Sequence, residues 1–122
     1  MDYSRIPDGA DLLTVKNYLS SFLNEKDELT AKNSLFYSLE MLSNIAEQCA
    51  FYQLDEELKS LITDYLIGII DYRDYKMIDI ILFITVNMAL KGVIEYLLNL
   101  KQEIPCDIME MINESAAEMN QW

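Results

Sequence analysis

Residues 61–100 are the most apolar part of this chain, and they constrain its fold more than any other stretch. They contain two apolar runs, Leu66–Ile70 and Met77–Val86, separated by the short polar joint Asp71–Asp74. The second run has only two polar residues, so it must be nearly surrounded by other protein. Its β-branched residues also permit a buried strand. We favour a helix, because the flanking segments have helical periodicity and no other segment reads as a partner strand.

The composition favours helices along the whole chain. Only three glycines and two prolines interrupt 122 residues, of which 52% are apolar. The length suits one domain with a real core. We therefore expect an all-α fold, a single domain of about six helices arranged as a compact bundle or as a short stack of antiparallel helical hairpins. Residues 1–7 are predicted to be an N-terminal arm, 8–119 the helical body and 120–122 a tail.

The first two helices are placed by apolar spacing and by one polar break. Helix 1 is predicted to begin at an N-cap, Asp8, and to end at about Leu23. Residues 24–27 then form a break, and helix 2 covers roughly Glu28–Phe51. Apolar residues of helix 2 recur at steps of four and three, as in a packing seam, at Leu35, Leu39, Leu42, Ala46 and Cys49.

Helix 3 is predicted to follow the capping residue Asp55, with Leu61 on its buried face. Gly68 lies inside this helix, where glycine costs about 1 kcal/mol relative to alanine. The simplest compensation is the close approach of another backbone or of a partner. This predicts a contact at Gly68.

Helix 4 is expected to be capped by Asp74. A turn at residues 87–92 separates it from helix 5, although a single helix over 75–101 also fits the pattern. Pro105 suits the first turn of helix 6, which is predicted to run to about Met119.

The excess of acidic residues limits the classes of partner that the chain can bind. Twenty-one acidic and nine basic residues give a net charge of −12, and each half of the chain contributes −6. Such a field repels nucleic acid and anionic membranes and attracts basic proteins, although solubility alone would also explain it.

The residue types exclude most catalytic chemistry. The absence of histidine removes Ser-His-Asp and Cys-His catalysis and histidine-ligated metals. Cys49 and Cys106 are predicted to be isolated, buried small hydrophobes. A Mg²⁺ site built from Asp64, Asp71 and Asp79 remains an alternative. We otherwise expect no enzyme and no cofactor.

The location is predicted to be cytoplasmic. The chain opens polar and acidic, unlike a signal peptide. Its longest uncharged stretch in the central run, Ile80–Leu90, has 11 residues, whereas a membrane span needs about 20.

Two surfaces rise above this background as candidate partner-binding sites. The first combines repeated Asp-Tyr pairs around helix 3 and the polar joint, since tyrosine is enriched in binding hot spots and aspartate pairs with lysine or arginine. Its residues are Glu57, Asp64, Ile67, Asp71, Tyr72, Asp74, Tyr75 and Asp79. The second is an acidic stripe along helix 6, which is more commonly only a solvated face. Its predicted binding residues are Glu103, Asp107, Glu110 and Glu114, and Glu118 continues the spacing.

The successive short apolar helices LITDYLIGII, IDIILFITV and VIEYLLNL resemble loosely HEAT-like helical hairpins. In size, charge and pattern the chain resembles the small acidic all-helical immunity proteins of bacterial toxin–immunity systems, including contact-dependent inhibition. The resemblance implies a protein that binds a cognate basic toxin domain, often a nuclease, and blocks its active site. The alternatives, ranked after it, are a phage-type inhibitor of a nucleic-acid-binding enzyme and a structural or adaptor domain acting through oligomerisation. Monomer and homodimer both remain open.

Overall fold

The computed structural model describes residues 1–120 and has the all-α architecture that the sequence predicts. Gln121 and Trp122, which belong to the predicted tail, lie outside the described residues. Residues 1–120 form six helices, whose bounds are α1 (Leu12–Lys32), α2 (Leu35–Cys49), α3 (Glu56–Ile69), α4 (Tyr75–Met88), α5 (Lys91–Asn99) and α6 (Cys106–Met119).

The predicted boundary between the first two helices is wrong. α1 begins after Asp11 rather than Asp8, with the Asp11 carboxylate accepting a hydrogen bond from Thr14 N at 2.8 Å. It continues through the polar residues 24–27 to Lys32, because these residues are compatible with a helix and some make tertiary contacts. The true break is at Asn33, and Ser34 caps α2 by accepting from Tyr37 N.

The predicted N-terminal arm, residues 1–7, packs on the helical body through Tyr3. Tyr3 is 3% exposed, and its ring meets those of Tyr18 and Phe22 edge to face. Its hydroxyl donates to Glu25 Oε2 at 2.6 Å, and its backbone oxygen accepts from Asn44 Nδ2. Burial, with the Glu25 hydrogen bond adding to it, raises the pKa of the Tyr3 hydroxyl. The segment is therefore tied to both α1 and α2.

α4 lies at the centre of the packing, against α2, α5 and α6. Its length and apolar surface follow from the run Met77–Val86, which is helical as predicted rather than a strand. Asp74 caps it, accepting from Met77 N at 3.2 Å. Four of the five residues of the predicted α2 seam are buried, namely Leu39, Leu42, Ala46 and Cys49. The contact between α2 and α4 is therefore one between the apolar seam of α2 and the apolar run of α4.

α4 and α5 are two helices, and the chain reverses between them at Ala89. This residue has φ 55° and ψ 49°, the left-handed conformation that closes many helices. The following amide, Leu90 N, donates to Thr85 O at 2.9 Å. Left-handed geometry costs an L-residue roughly 1–2 kcal/mol, whereas glycine adopts it without that cost. Ala89 therefore stores strain at this turn.

Replacing Ala89 with glycine is expected to stabilise the fold by about 0.5–1 kcal/mol, since the relieved strain exceeds the entropy that glycine adds to the unfolded chain. Urea unfolding followed by circular dichroism measures the change. Ala50 is the matched control: it also follows a helix, but its φ is −57°, so glycine there should destabilise by about 0.5 kcal/mol. A loss of stability in both variants would contradict the strain at Ala89.

No other backbone of residues 1–120 approaches Gly68, so of the two predicted compensations only contact with a partner remains a prediction. Apart from its own helix backbone and chain neighbours, no atom lies within 4 Å of a Cβ built on Gly68, whereas a Cβ on Gly92 would lie 3.1 Å from Thr63 Cγ2. Gly92 is thus in the first turn of α5, where α5 packs closely on α3. The predicted buried face of α3 is also too wide, because Leu61 is 49% exposed.

Candidate functional site: a groove between α4 and α6

The two predicted acidic surfaces meet at a groove between α4 and α6. The groove has a volume of about 490 Å³ and is open to solvent. We call it the α4–α6 groove. Ten residues line it, namely Tyr75, Asp79, Leu82, Phe83, Val86, Asn87, Met111, Glu114, Ser115 and Glu118.

Helical spacing explains why these side chains line one groove. Tyr75, Asp79 and Phe83 are four residues apart on α4, so they project from the same side of that helix. On α6, Glu114 and Glu118 are related in the same way. Because α4 packs directly against α6, these two rows bound the same depression.

The floor of the groove is apolar and its walls are aromatic. Leu82 and Val86 are 4% and 9% exposed, and Met111 is partly buried against the core. By contrast, Tyr75 is 49% and Phe83 45% exposed. Large exposed aromatic side chains beside a concave apolar surface are typical of a binding site rather than of a solvated helix face.

The rim of the groove carries only negative charge. Asp79, Glu114 and Glu118 line it, and no lysine or arginine does. None of these three carboxylates takes part in an ion pair within residues 1–120. The acidic partners of the five ion pairs found there are Asp2, Asp27, Glu28, Asp55 and Glu56. The groove therefore presents carboxylates that the described part of the chain leaves without a cation.

Three of the twelve predicted binding residues line the groove, namely Tyr75, Asp79 and Glu114. The other nine lie elsewhere on the surface. All of them are exposed except Ile67 and Tyr72, which are partly buried. The nine are Glu57, Asp64, Ile67, Asp71, Tyr72, Asp74, Glu103, Asp107 and Glu110.

Two carboxylates of the polar joint, Asp71 and Asp74, stabilise the local backbone. Asp71 Oδ1 accepts from Arg73 N at 3.0 Å, and Asp74 caps α4. Tyr72 lies 5.8 Å from the Arg73 guanidinium, measured from the ring centroid, so an internal cation already contacts its ring. Asp71 and Asp74 remain exposed and remain predicted binding residues, but substituting them would also disturb the turn.

The Asp-Tyr pair on α3 divides between surface and core. Asp64 is exposed, whereas Tyr65 turns inward against Phe22, with Lys26 Nζ 5.4 Å from its ring centroid. Burial, with the charge of Asp27 adding to it, raises the pKa of Tyr65 to about 12. Tyr65 therefore belongs to the packing of α1 and α3, as its apolar neighbours predict.

The acidic stripe of α6 is likewise divided. Glu103 precedes the helix, and Asp107 Oδ1 accepts from Ile108 N within its first turn. Of the stripe, only Glu114 and Glu118 reach the α4–α6 groove. The regular spacing predicts one acidic face but not which part of it borders α4.

Sequence reasoning missed most of what shapes the groove. The apolar run Met77–Val86 was predicted to be nearly surrounded by protein, but its Phe83 is 45% exposed. One signal was present: Phe83 follows Tyr75 and Asp79 at steps of four, on the side of α4 that carries its polar residue.

A second groove, of about 830 Å³, lies beside the turns that follow α2 and α4. Its residues include Phe51, which is 85% exposed, and the two lysines Lys59 and Lys91. The lysine side chain at 59 is only 16% exposed and lies 3.9 Å from Glu56. This groove is thus mixed in charge, unlike the α4–α6 groove.

Among residues 1–120 no three cysteine, aspartate or glutamate side chains are grouped as metal ligands would be. Cys49 is buried, which raises the pKa of its thiol to about 12, but the prediction that Cys106 is buried is wrong. Cys106 is exposed because it begins α6 at the surface. No helix of the described residues is both long and apolar enough to cross a membrane.

Comparison of the chain with protein-family models, with curated proteins and with solved structures found no match.

Proposed function

We propose that this protein is an inhibitor of the immunity-protein type, which binds a basic protein domain, such as a nuclease toxin, and covers its active site. The observation that carries the proposal is the α4–α6 groove, where unpaired carboxylates surround exposed aromatic side chains over an apolar floor. Aromatic anchors near the centre of a patch, surrounded by a polar rim, are typical of a tight protein interface.

The net charge supports the same proposal through the rate of binding. Nucleases hold phosphates with lysine and arginine, so their clefts attract an acidic protein by the same force. A net charge of −12 attracts a basic partner over long range and so raises the rate at which the two proteins meet. The field brings the partner close, and the groove then supplies the short-range contacts that slow its release.

An adaptor that acts through apolar contacts is the second candidate, favoured by Phe51. This side chain is 85% exposed beside the second groove, and such exposure of a phenylalanine often marks a contact surface. An adaptor of this kind would bind its partner almost independently of salt, because its contacts carry little charge.

The test is to capture partners from the native host with the immobilised protein, identify them and assay them. We expect a basic protein that is inhibited at one-to-one stoichiometry. Its association rate should fall about tenfold or more between low and physiological salt, because long-range attraction is screened. A captured basic protein that keeps full activity when saturated would contradict the proposal. Capture through Phe51 alone, unaffected by salt, would favour the adaptor.

A further inference from the structure

We propose that the α4–α6 groove receives an arginine-bearing segment of the partner, with a guanidinium group held against the Phe83 ring beside Asp79 and an apolar neighbour on the floor. This rests on the proposed function, because it specifies the chemistry by which a basic partner is recognised. The segment is a peptide stretch of a protein, and its arginine is the group that distinguishes it.

The groove has an apolar surface for the neighbouring side chain of such a segment and carboxylates for its arginine. Leu82 and Val86 form an apolar floor, which favours an apolar side chain by removing it from water. Asp79, Glu114 and Glu118 supply acceptors on the rim. A volume of about 490 Å³ lies within the range of pockets that take a small molecule or a few side chains.

The aromatic walls favour arginine over lysine. The guanidinium group is planar and weakly hydrated, so it can stack on an aromatic face while it donates two parallel hydrogen bonds to a carboxylate. An ammonium group is a strongly hydrated point charge that gains less from an exposed ring. Tyr75 and Phe83 present such rings on the same side of α4 as Asp79.

Other occupants fit the groove less well. A nucleic acid would bring phosphates to a rim of three carboxylates. A second copy of this chain would bring another net charge of −12, and its only arginines are Arg5 and Arg73. Charge complementarity therefore selects a foreign basic segment.

The test uses labelled synthetic peptides in which arginine alternates with leucine, together with matched peptides containing lysine or the neutral isostere citrulline. Fluorescence anisotropy with the full chain gives the affinities. The arginine peptide is expected to bind about fivefold to tenfold more tightly than the lysine peptide, as cation–π and stacking contributions of that order imply. The citrulline peptide should not bind measurably. Equal affinities for arginine and lysine would overturn the inference.

Phe83→Leu removes the ring but keeps an apolar side chain, and it should abolish most of the preference for arginine. Phe36→Leu is the matched control, because Phe36 is 40% exposed, similar to Phe83 at 45%, but lies outside the groove. Circular dichroism shows whether each variant is folded. Equal losses in the two variants would also overturn the inference.

The two proposals can fail separately. If a natural basic partner is inhibited but its affinity is unchanged by Phe83→Leu, the proposed function stands and the arginine site is wrong. If the arginine peptide binds in the groove and no basic protein is inhibited, the site stands and the proposed function is wrong.

Discussion

Replacing Phe22 with alanine is expected to destabilise the protein by about 3–5 kcal/mol, the usual cost of removing a fully buried aromatic ring. Phe22 has no exposed surface, and its ring centroid lies 6.0 Å from that of Tyr3 and 5.8 Å from that of Tyr65. It thus joins the N-terminal segment, α1 and α3. Total stabilities are about 5–15 kcal/mol, so this loss is a large fraction. Urea unfolding monitored by circular dichroism measures it.

Two further variants make this expectation sharp. Phe36→Ala on α2 removes the same ring from a position that is 40% exposed, and it should cost less than about 1 kcal/mol. Phe22→Leu keeps apolar volume, should cost about 1–2 kcal/mol and remains measurable if the alanine variant does not fold. A loss of stability at Phe36 as large as that at Phe22 would show that the contacts of Phe22 with Tyr3 and Tyr65 add nothing to the stability of the fold.

The importance of Phe22 illustrates what local patterns can and cannot predict. Its place on the buried face of α1 follows from helical spacing. Its contacts do not, because Tyr3 lies in a segment with no periodicity and Tyr65 is 43 residues further along the chain. The sequence could therefore predict that Phe22 is buried but not that it connects three parts of the fold.

The helices themselves were predictable where one signal was strong. The apolar run at Met77–Val86 and the capping Asp74 predicted α4 correctly. The end of α1 was not predictable in this way, because residues 24–27 are all polar and include two weak helix formers, Asn24 and Asp27, beside two strong ones. What holds them in α1 is tertiary: Glu25 accepts from Tyr3, and Lys26 lies over the Tyr65 ring. Such contacts override a local break signal.

The candidate site also combines features that helical spacing predicts with others that only tertiary packing determines. Spacing predicted that Tyr75 and Asp79 share one side of a helix and that the acids of α6 share another. It could not predict that these rows face one another, because that depends on α4 packing against α6. Phe83 was assigned to the core for the same reason. A half-exposed phenylalanine becomes recognisable only once the neighbouring helix is in place.

Because Asp71 and Asp74 stabilise the polar joint, the binding prediction is better tested at other carboxylates. Asp71→Lys with Asp74→Lys would remove the cap of α4, a loss of typically about 1 kcal/mol, and would confuse folding with binding. Asp79 and Glu114 line the groove and make no hydrogen bond or ion pair through their side chains within residues 1–120. They are therefore the better pair to substitute.

Asp79→Lys with Glu114→Lys is expected to weaken binding of the basic partner by about 10²–10³-fold. Each reversal removes an acceptor and places like charges opposite one another, which together cost about 3–4 kcal/mol at 1.4 kcal/mol per tenfold. Most of the change should be in the dissociation rate. Lysine at 114 also relieves like-charge repulsion from Glu110 and Glu118, so the helix should not be weakened.

Glu40→Lys with Glu47→Lys is the matched control, because both residues are exposed on α2 and line neither groove. Each double variant changes the net charge equally, from −12 to −8, since every substitution adds two positive charges. The control should slow association only about two- to threefold, through the weaker long-range field. Surface plasmon resonance resolves the two rates. If both pairs weaken binding equally, the attraction is a property of the whole acidic surface and the α4–α6 groove is not the interface.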